Sequence, residues 1–192
     1  MTGDVSHQKR ALRAELRERR RITTSTARQR ADAALTQHLV ELTRSLGANS
    51  VATYLSLPEE PSTRGLLAWA RTSGVRVLLP ISRPDGLLDW VPFEGDDETQ
   101  DAFGMPTPSG DLLGPIAVNE VDLMLVPAAS VDRDGMRLGW GRGFFDRTLG
   151  SMETRPPVYA VIFDDEFVDS VPNERHDQRV DGVVTPSGIT AF

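Results

Sequence analysis

The sequence predicts a three-layer α/β/α fold, one domain over residues 1–192 built around a mainly parallel sheet. Three observations predict it. Apolar runs closed by proline or by acidic residues recur at Val51–Leu57, Val75–Pro80, Leu123–Val126 and Val158–Phe163. Short runs with no polar alternation read as strands covered on both faces. Between the first two runs lies a helical pattern, and strand–helix–strand order gives a right-handed parallel crossover. The 192 residues, 39% hydrophobic and 26% charged, suffice for a substantial soluble core. Together these imply a Rossmann-like α/β class.

The segment 1–46 is expected to be helical and to pack on the α/β core. Nine basic residues fall between Lys9 and Arg30, against the acids Glu15 and Glu18. Leu12 and Leu16, spaced i,i+4, make this an amphipathic helix. Lys9, Arg13 and Arg20 lie within about 40° of one another on a helical wheel, beside the leucine stripe. Such a row faces phosphate groups or is a solvated basic face. A second helix is expected from Thr24 to Leu46, with Gly47 as its stop. His38, on its apolar side, reads as a packing residue.

Val51–Leu57 reads as the first strand, closed by Pro58-Glu59-Glu60-Pro61. Ser62 is a helix cap for a run to Gly74, and Val75–Pro80 is the next strand. Glu59 and Glu60 therefore sit at the carboxyl end of a parallel strand, where sites form in such sheets. Leu87–Phe93 alternates weakly and contains Pro92, so it reads as an edge strand or hairpin arm. Gly95–Asn119 lacks periodicity; Phe103, Met105 and Pro106 in it line a flat ligand or form a satellite core.

Leu123–Val126, closed by Pro127, reads as a buried strand. Asp132-Arg133-Asp134-Gly135 forms a loop, and Gly139, Gly141 and Gly143 follow at alternate positions, with Arg137 and Arg142 beside them. A helix should begin near Phe144. Strand, glycine-rich turn and helix N-terminus together suit phosphate oxygens. The spacing excludes both the P-loop and the dinucleotide fingerprint. Asp146, in the first helical turn, complements the helix dipole. Beside phosphates, however, a carboxylate is repulsive unless a divalent cation lies between, and Mg²⁺ uses such a combination. After Val158–Phe163 come Asp164-Asp165-Glu166, then Glu174, His176, Asp177 and Asp181, and a short strand at Val183-Val184. One histidine at this spacing makes a weak zinc site.

Composition sets further bounds. The net charge of −7 gives no general affinity for nucleic acid or anionic membrane. The absence of cysteine excludes disulfides and thiolate chemistry. No apolar run approaches a membrane span, and no leader-like segment is present, so a cytoplasmic protein is expected.

The stretch VPAASVDRDGMRLGWGRGFFDRTL resembles the signature of the 5-formyltetrahydrofolate cyclo-ligases, also called methenyltetrahydrofolate synthetases. Ala128, Val131 and the pair Phe144-Phe145 depart from its usual glycine, phenylalanine and tyrosine pair. The resemblance extends to the basic helix, the glutamate after the first strand and the carboxy-terminal acid. It implies ATP contacts from Lys9 and Arg13 and from the turn Arg137, Leu138, Gly139, Trp140, Gly141, Arg142, Gly143, Phe144 and Phe145. Leu55, Glu60, Trp140 and Phe144 would meet the reduced formyl folate, and Asp146 with Glu174 would hold Mg²⁺. Arg137 and Arg142 are the expected catalytic residues, neutralising phosphate charge during ATP-dependent ring closure. The expected partner is this small molecule, with the chain acting as a monomer. A sugar-phosphate isomerase or deaminase on a related fold, and a non-catalytic nucleotide- or folate-binding protein, are the alternatives.

Overall fold

The structure, a computed structural model, describes residues 2–95, 98–100, 104 and 106–192, with side chains from Asp4 onward. Two long helices come first, α1 (Thr2–Ile22) and α2 (Ser25–Ser45), then β1 (Ser50–Ala52), α3 (Arg64–Ser73), β2 (Arg76–Ser82) and β3 (Leu88–Pro92). A small antiparallel pair, β4 (Glu98–Gln100) and β5 (Pro106–Pro108), and a 3-10 helix (Pro115–Glu120) lead to β6 (Leu123–Pro127). Next come β7 (Ser130–Asp132), β8 (Arg137–Leu138), α4 (Phe144–Ser151) and β9 (Val158–Val161). A 3-10 turn (Asp164–Glu166), β10 (Phe167–Val168), β11 (Gly182–Thr185) and β12 (Gly188–Ala191) complete the order.

Seven strands form the main sheet in the order β12-β11-β9-β6-β1-β2-β3. The five from β11 to β2 run parallel; β3 and β12 are antiparallel edges. In β6 the side chains alternate between faces although all are apolar. Leu123 and Leu125 pack under Leu35, Leu39 and Leu42 of α2, whereas Met124 and Val126 meet Trp90 and Leu149 on the far side. Burial on both faces is why the run carries no polar alternation. α3 joins the α2 layer through Leu66, while α4 and the 3-10 helix cover the opposite face. α1 lies apart from both layers. Its Leu16 packs with Ala129, Leu138 and Val171, which places the helix over the carboxyl ends of the central strands.

Several elements match the local signals that predict them. Thr24 caps α2 by accepting the Ala27 N–H, and Gly47 ends it with φ +62°. β3 is the expected edge strand, and it pairs with β2 from Leu78↔Pro92 to Ser82↔Leu88. Three expectations need correction. The strand expected over Val51–Leu57 ends at Ala52, with one further sheet bond from the Thr53 N–H to Leu78 O. Beyond it the chain curls, because the Tyr54 hydroxyl donates to Pro61 O and the Thr63 hydroxyl donates to Tyr54 O. The following helix begins at Arg64 after Thr63, not directly after Ser62. The passage from β6 to the glycine turn is not a simple loop either. Ser130 pairs with Leu138 and Val131 with Arg137, so Asp132–Gly135 turns a small hairpin, and β10 adds to its edge. The expectation for Phe103 and Met105 lies outside the described residues. No helix among the described residues is long and apolar enough to cross a membrane.

Opposite the site, Asp122 pins the start of β1. Its Oδ2 accepts the N–H groups of Asn49 and Ser50, both at 2.9 Å, and the Ser50 hydroxyl at 2.8 Å. The Ser50 side-chain bond, then the backbone bonds, hold this carboxyl below the usual aspartate range. A depressed folded pKa contributes stability above the unfolded value and loses it as pH falls through the folded one. Asp122→Ala should therefore cost about 1 kcal/mol at pH 7, a figure that allows for solvent screening of an exposed group. The difference from the parent chain should shrink below about pH 4, as urea unfolding midpoints at pH 7 and pH 3 will measure.

Candidate active site

The strand order reverses between β1 and β6: the chain builds outward through β2 and β3, then returns to the other side of β1. Loops leave these neighbouring strands in opposite directions, which opens a crevice at their carboxyl ends. A cavity of about 590 Å³ lies there. Its walls come from α1, the curl after β1, Pro127 at the end of β6, and the turn between β8 and α4.

The turn's three glycines each leave room for a guanidinium group. A Cβ on Gly139 would sit 3.1 Å from Arg137 Nη1, one on Gly141 3.4 Å from Arg13, and one on Gly143 2.9 Å from Arg147 Nη1. Gly141 and Gly143 also adopt φ +100° and +71°, which a side chain disfavours. Arg137, buried on β8, donates to Asp146 Oδ1 at 2.7 Å and to Pro127 O at 3.1 Å. Its Nε–H is buried with no hydrogen-bond partner among the described residues. Asp146 Oδ1 also accepts the Gln178 N–H at 3.2 Å. Arg13 reaches from α1 to donate to Gly139 O at 2.7 Å. Arg147 closes the far side, donating to Arg142 O at 2.7 Å and to Gly86 O at 2.8 Å in the β2–β3 turn.

α1 presents the rest of its cationic row to different partners. Arg20 is 5% exposed, and its guanidinium donates to both oxygens of the buried Glu166, at 2.6 and 2.8 Å, and to Ala128 O. The same group lies 4.7 Å from the Trp140 ring centroid, with Arg17 at 5.3 Å from it. Burial pushes the Glu166 carboxyl up, against the pull of Arg20. Lys9, also buried, contacts Glu174 at 2.9 Å and Asp177 at 2.6 Å. Burial lowers its ammonium pKa, but bonds to Asp177 and Glu174 outweigh this and hold it high. Arg13 is lowered by burial and by Arg17, while Asp177, Asp146 and Glu174 oppose that shift. Both expected metal carboxylates thus act on one guanidinium.

In the curl after β1, Glu60 accepts the Leu57 N–H at 2.9 Å, and burial raises its carboxyl above the ordinary glutamate range. Ten of the site residues implied by the family resemblance line the cavity: Leu55 and Glu60 from the curl after β1, and Arg137, Gly139, Trp140, Arg142, Gly143, Phe144, Phe145 and Asp146 from β8, the turn and α4. Lys9, Arg13, Gly141 and Glu174 do not line it. Leu138 turns its side chain into the core under α1, and its carbonyl accepts the Ala129 N–H. Sequence reasoning missed Arg17, Tyr54 and Arg147, and it named Asp177 only among the carboxy-terminal acids of a weak zinc pattern. A helical wheel extended by one turn points to Arg17; Asp177, three residues after Glu174, carries a spacing signal. Arg147 has none, since its partners are carbonyl groups.

A model of the 5-formyltetrahydrofolate cyclo-ligase family matches residues 5–186. The chain is 36% identical over 187 residues to the 5-formyltetrahydrofolate cyclo-ligase of Mycolicibacterium smegmatis, covering 94% of this chain and 95% of the relative. Against the Escherichia coli K12 protein of that name it is 29% identical over 180 residues, covering 91% and 98%. The solved 5,10-methenyltetrahydrofolate synthetase of Aquifex aeolicus superposes with a TM-score of 0.80 at 23% identity, covering 95% of this chain and 92% of that one. Its counterpart from Mycoplasma pneumoniae gives 0.71 at 20% identity, covering 92% and 97%. At such identities the two structures speak for the fold.

The buried Arg20–Glu166 pair yields a stability test. Glu166→Ala should cost about 3–5 kcal/mol, because it leaves a desolvated guanidinium without its carboxylate. The double change Arg20→Met with Glu166→Leu should recover most of that loss. Denaturant midpoints of the single and double variants decide the matter; equal losses would show that the cost is the missing pair itself and not the stranded guanidinium.

Proposed function

The chain belongs to the 5-formyltetrahydrofolate cyclo-ligase family, and we propose that it converts 5-formyltetrahydrofolate to 5,10-methenyltetrahydrofolate, with ATP and Mg²⁺, releasing ADP and phosphate. The observation that carries the reading is a single cavity lined by two unlike sets of groups. Glu60, Leu55 and the Trp140 and Phe144 rings suit a flat heterocycle with N–H donors. Arg137, Arg142 and the glycines of the turn suit phosphate oxygens.

The residues fit a phosphate–metal ligand. Arg137 keeps a buried Nε–H with no hydrogen-bond partner among the described residues, and Gly139 and Gly143 line the cavity with no side chain of their own. Asp146 and Glu174 are hard oxygen donors of the kind Mg²⁺ takes together with phosphate oxygens, and they would hold it while it supplies charge neutralisation. The remaining work belongs to the chain's own groups. Glu60 accepts hydrogen bonds from the heterocycle and orients it. Trp140 and Phe144 flank the ring and exclude water. Arg137, Arg142 and the N–H groups of Gly139–Gly143 hold the γ-phosphoryl group in line with the formyl oxygen. That oxygen attacks phosphorus and ADP leaves. N10 then attacks the formyl carbon and loses its proton, and phosphate departs with the former formyl oxygen.

The decisive experiment uses 5-formyltetrahydrofolate labelled with ¹⁸O in the formyl group. With Mg-ATP the methenyl chromophore should appear in the near ultraviolet, and the released phosphate should carry the label. Omitting Mg²⁺ should stop both. Label found in water would exclude direct phosphorylation and the roles given to Arg137 and Arg142.

Glu60 adds a pH test. Its raised carboxyl accepts hydrogen bonds with both oxygens only when ionised, so the KM for the folate should climb on acidification from a higher pH than an ordinary glutamate would give. Glu60→Gln should raise that KM at pH 7 more than the KM for ATP, and should flatten the acid limb. An unchanged pH profile in the variant would remove Glu60 from the reading.

A further inference from the structure

Four arginines line the cavity, and Arg17 is held differently from the rest. Arg20 and Arg137 are matched by the carboxylates of Glu166 and Asp146, and Arg142 is among the groups suited to phosphate. Arg17 makes no ion pair among the described residues. Its side chain is exposed, yet the guanidinium is braced 5.3 Å over the Trp140 ring, on the aromatic wall given above to the heterocycle. Its surroundings favour an incoming anion. Arg13 lies one turn away and is lowered partly by the charge of Arg17, and Arg20 shares the same indole. A guanidinium stacked on an aromatic face keeps its N–H edge free for a planar carboxylate.

We propose that Arg17 is the docking cation for the carboxylate-bearing tail of the folate, at the mouth of the cavity beyond Trp140. The inference rests on the folate reading above and deepens it. A reduced folate ends in a glutamate, two carboxylates at the far end from the reacting ring, and these need a cation outside the ring pocket. None of the acids that also line the cavity, Glu59, Glu60 and Asp146, forms an ion pair with Arg17. Asp146 is bound to Arg137, and Glu60 is turned to the Leu57 N–H. They leave the indole-braced cation to the tail.

The test compares the parent chain with Arg17→Ala and Arg17→Lys on two substrates. One is 5-formyltetrahydrofolate; the other is the same molecule cut to a neutral benzamide after the benzoyl carbonyl, so that no carboxylate remains. Turnover by the parent chain tests the function itself, independently of Arg17. Arg17→Ala should raise the KM for the full substrate about tenfold with little change in kcat, and added salt should narrow the gap. Arg17→Lys should restore part of the loss. The neutral amide should show the same KM in parent and variant. An unchanged KM for the full substrate overturns the proposal. An equal rise for the amide overturns it too, because Arg17 would then only brace Trp140, and so does a rise confined to ATP, which assigns the cation to phosphate. Matching thermal melts of the three proteins exclude misfolding as the cause.

Discussion

The buried pairing of Arg20 with Glu166 sets where everything else at the site can stand. It joins α1 to the turn after β9, and it reaches the end of β6 through Ala128 O. Glu166 is itself held from two sides: its Oε2 accepts the Phe163 N–H, and its carbonyl accepts the Ser130 hydroxyl. A bidentate guanidinium–carboxylate contact fixes distance and rotation together. With Arg20 fixed, the rigid helix dictates the positions of Arg17, Arg13 and Lys9 along its axis. α1 makes few apolar contacts besides Leu16 and Leu12, so polar geometry, more than core packing, sets its register.

The crevice that α1 roofs follows from chain topology. Parallel strands place all their carboxyl ends on one side, and the reversal between β1 and β6 leaves a gap that no crossover helix fills. Into that gap β8 and the glycine turn project Arg137, while Arg147 ties the turn's outer strand to the β2–β3 turn. The glycines matter less as flexible points than as absent side chains. Each marks a spot where an arginine lies against the backbone. The turn is therefore packed on one side by cations and open on the other to the cavity.

Much of this was legible in the sequence wherever the determining signal was local. Thr24 and Gly47 mark the ends of α2 because capping and left-handed geometry concern adjacent residues. Leu123–Val126 declared itself a covered strand by composition alone. The curl after Ala52 was not legible, since bonds among Tyr54, Pro61 and Thr63 outcompete a β-rich run. Nor was the Asp132–Gly135 hairpin, whose strands have only two or three residues each. At the site, the spacing of Gly139, Gly141 and Gly143 exposed the turn, and the family resemblance added Lys9 and Glu174. Their contact with each other was beyond reach, as were Arg20 with Glu166 and Lys9 with Asp177. Those partners lie 146 to 168 positions apart, and no periodicity links them.

Those same separations bear on how the molecule is made. During synthesis α1 emerges with its arginines long before residues 166–177 exist to neutralise them. β1, α3, β2 and β3 can pair at once through near neighbours, whereas α1 must wait for the turn after β9. Loop closure over such distances is slow, and it comes after local structure in a growing chain. The β1–β3 part of the sheet can therefore assemble first, and the roof settles only once residues 166–177 have been made. A nascent or partly unfolded chain lacks a competent crevice even when most of its sheet is in place.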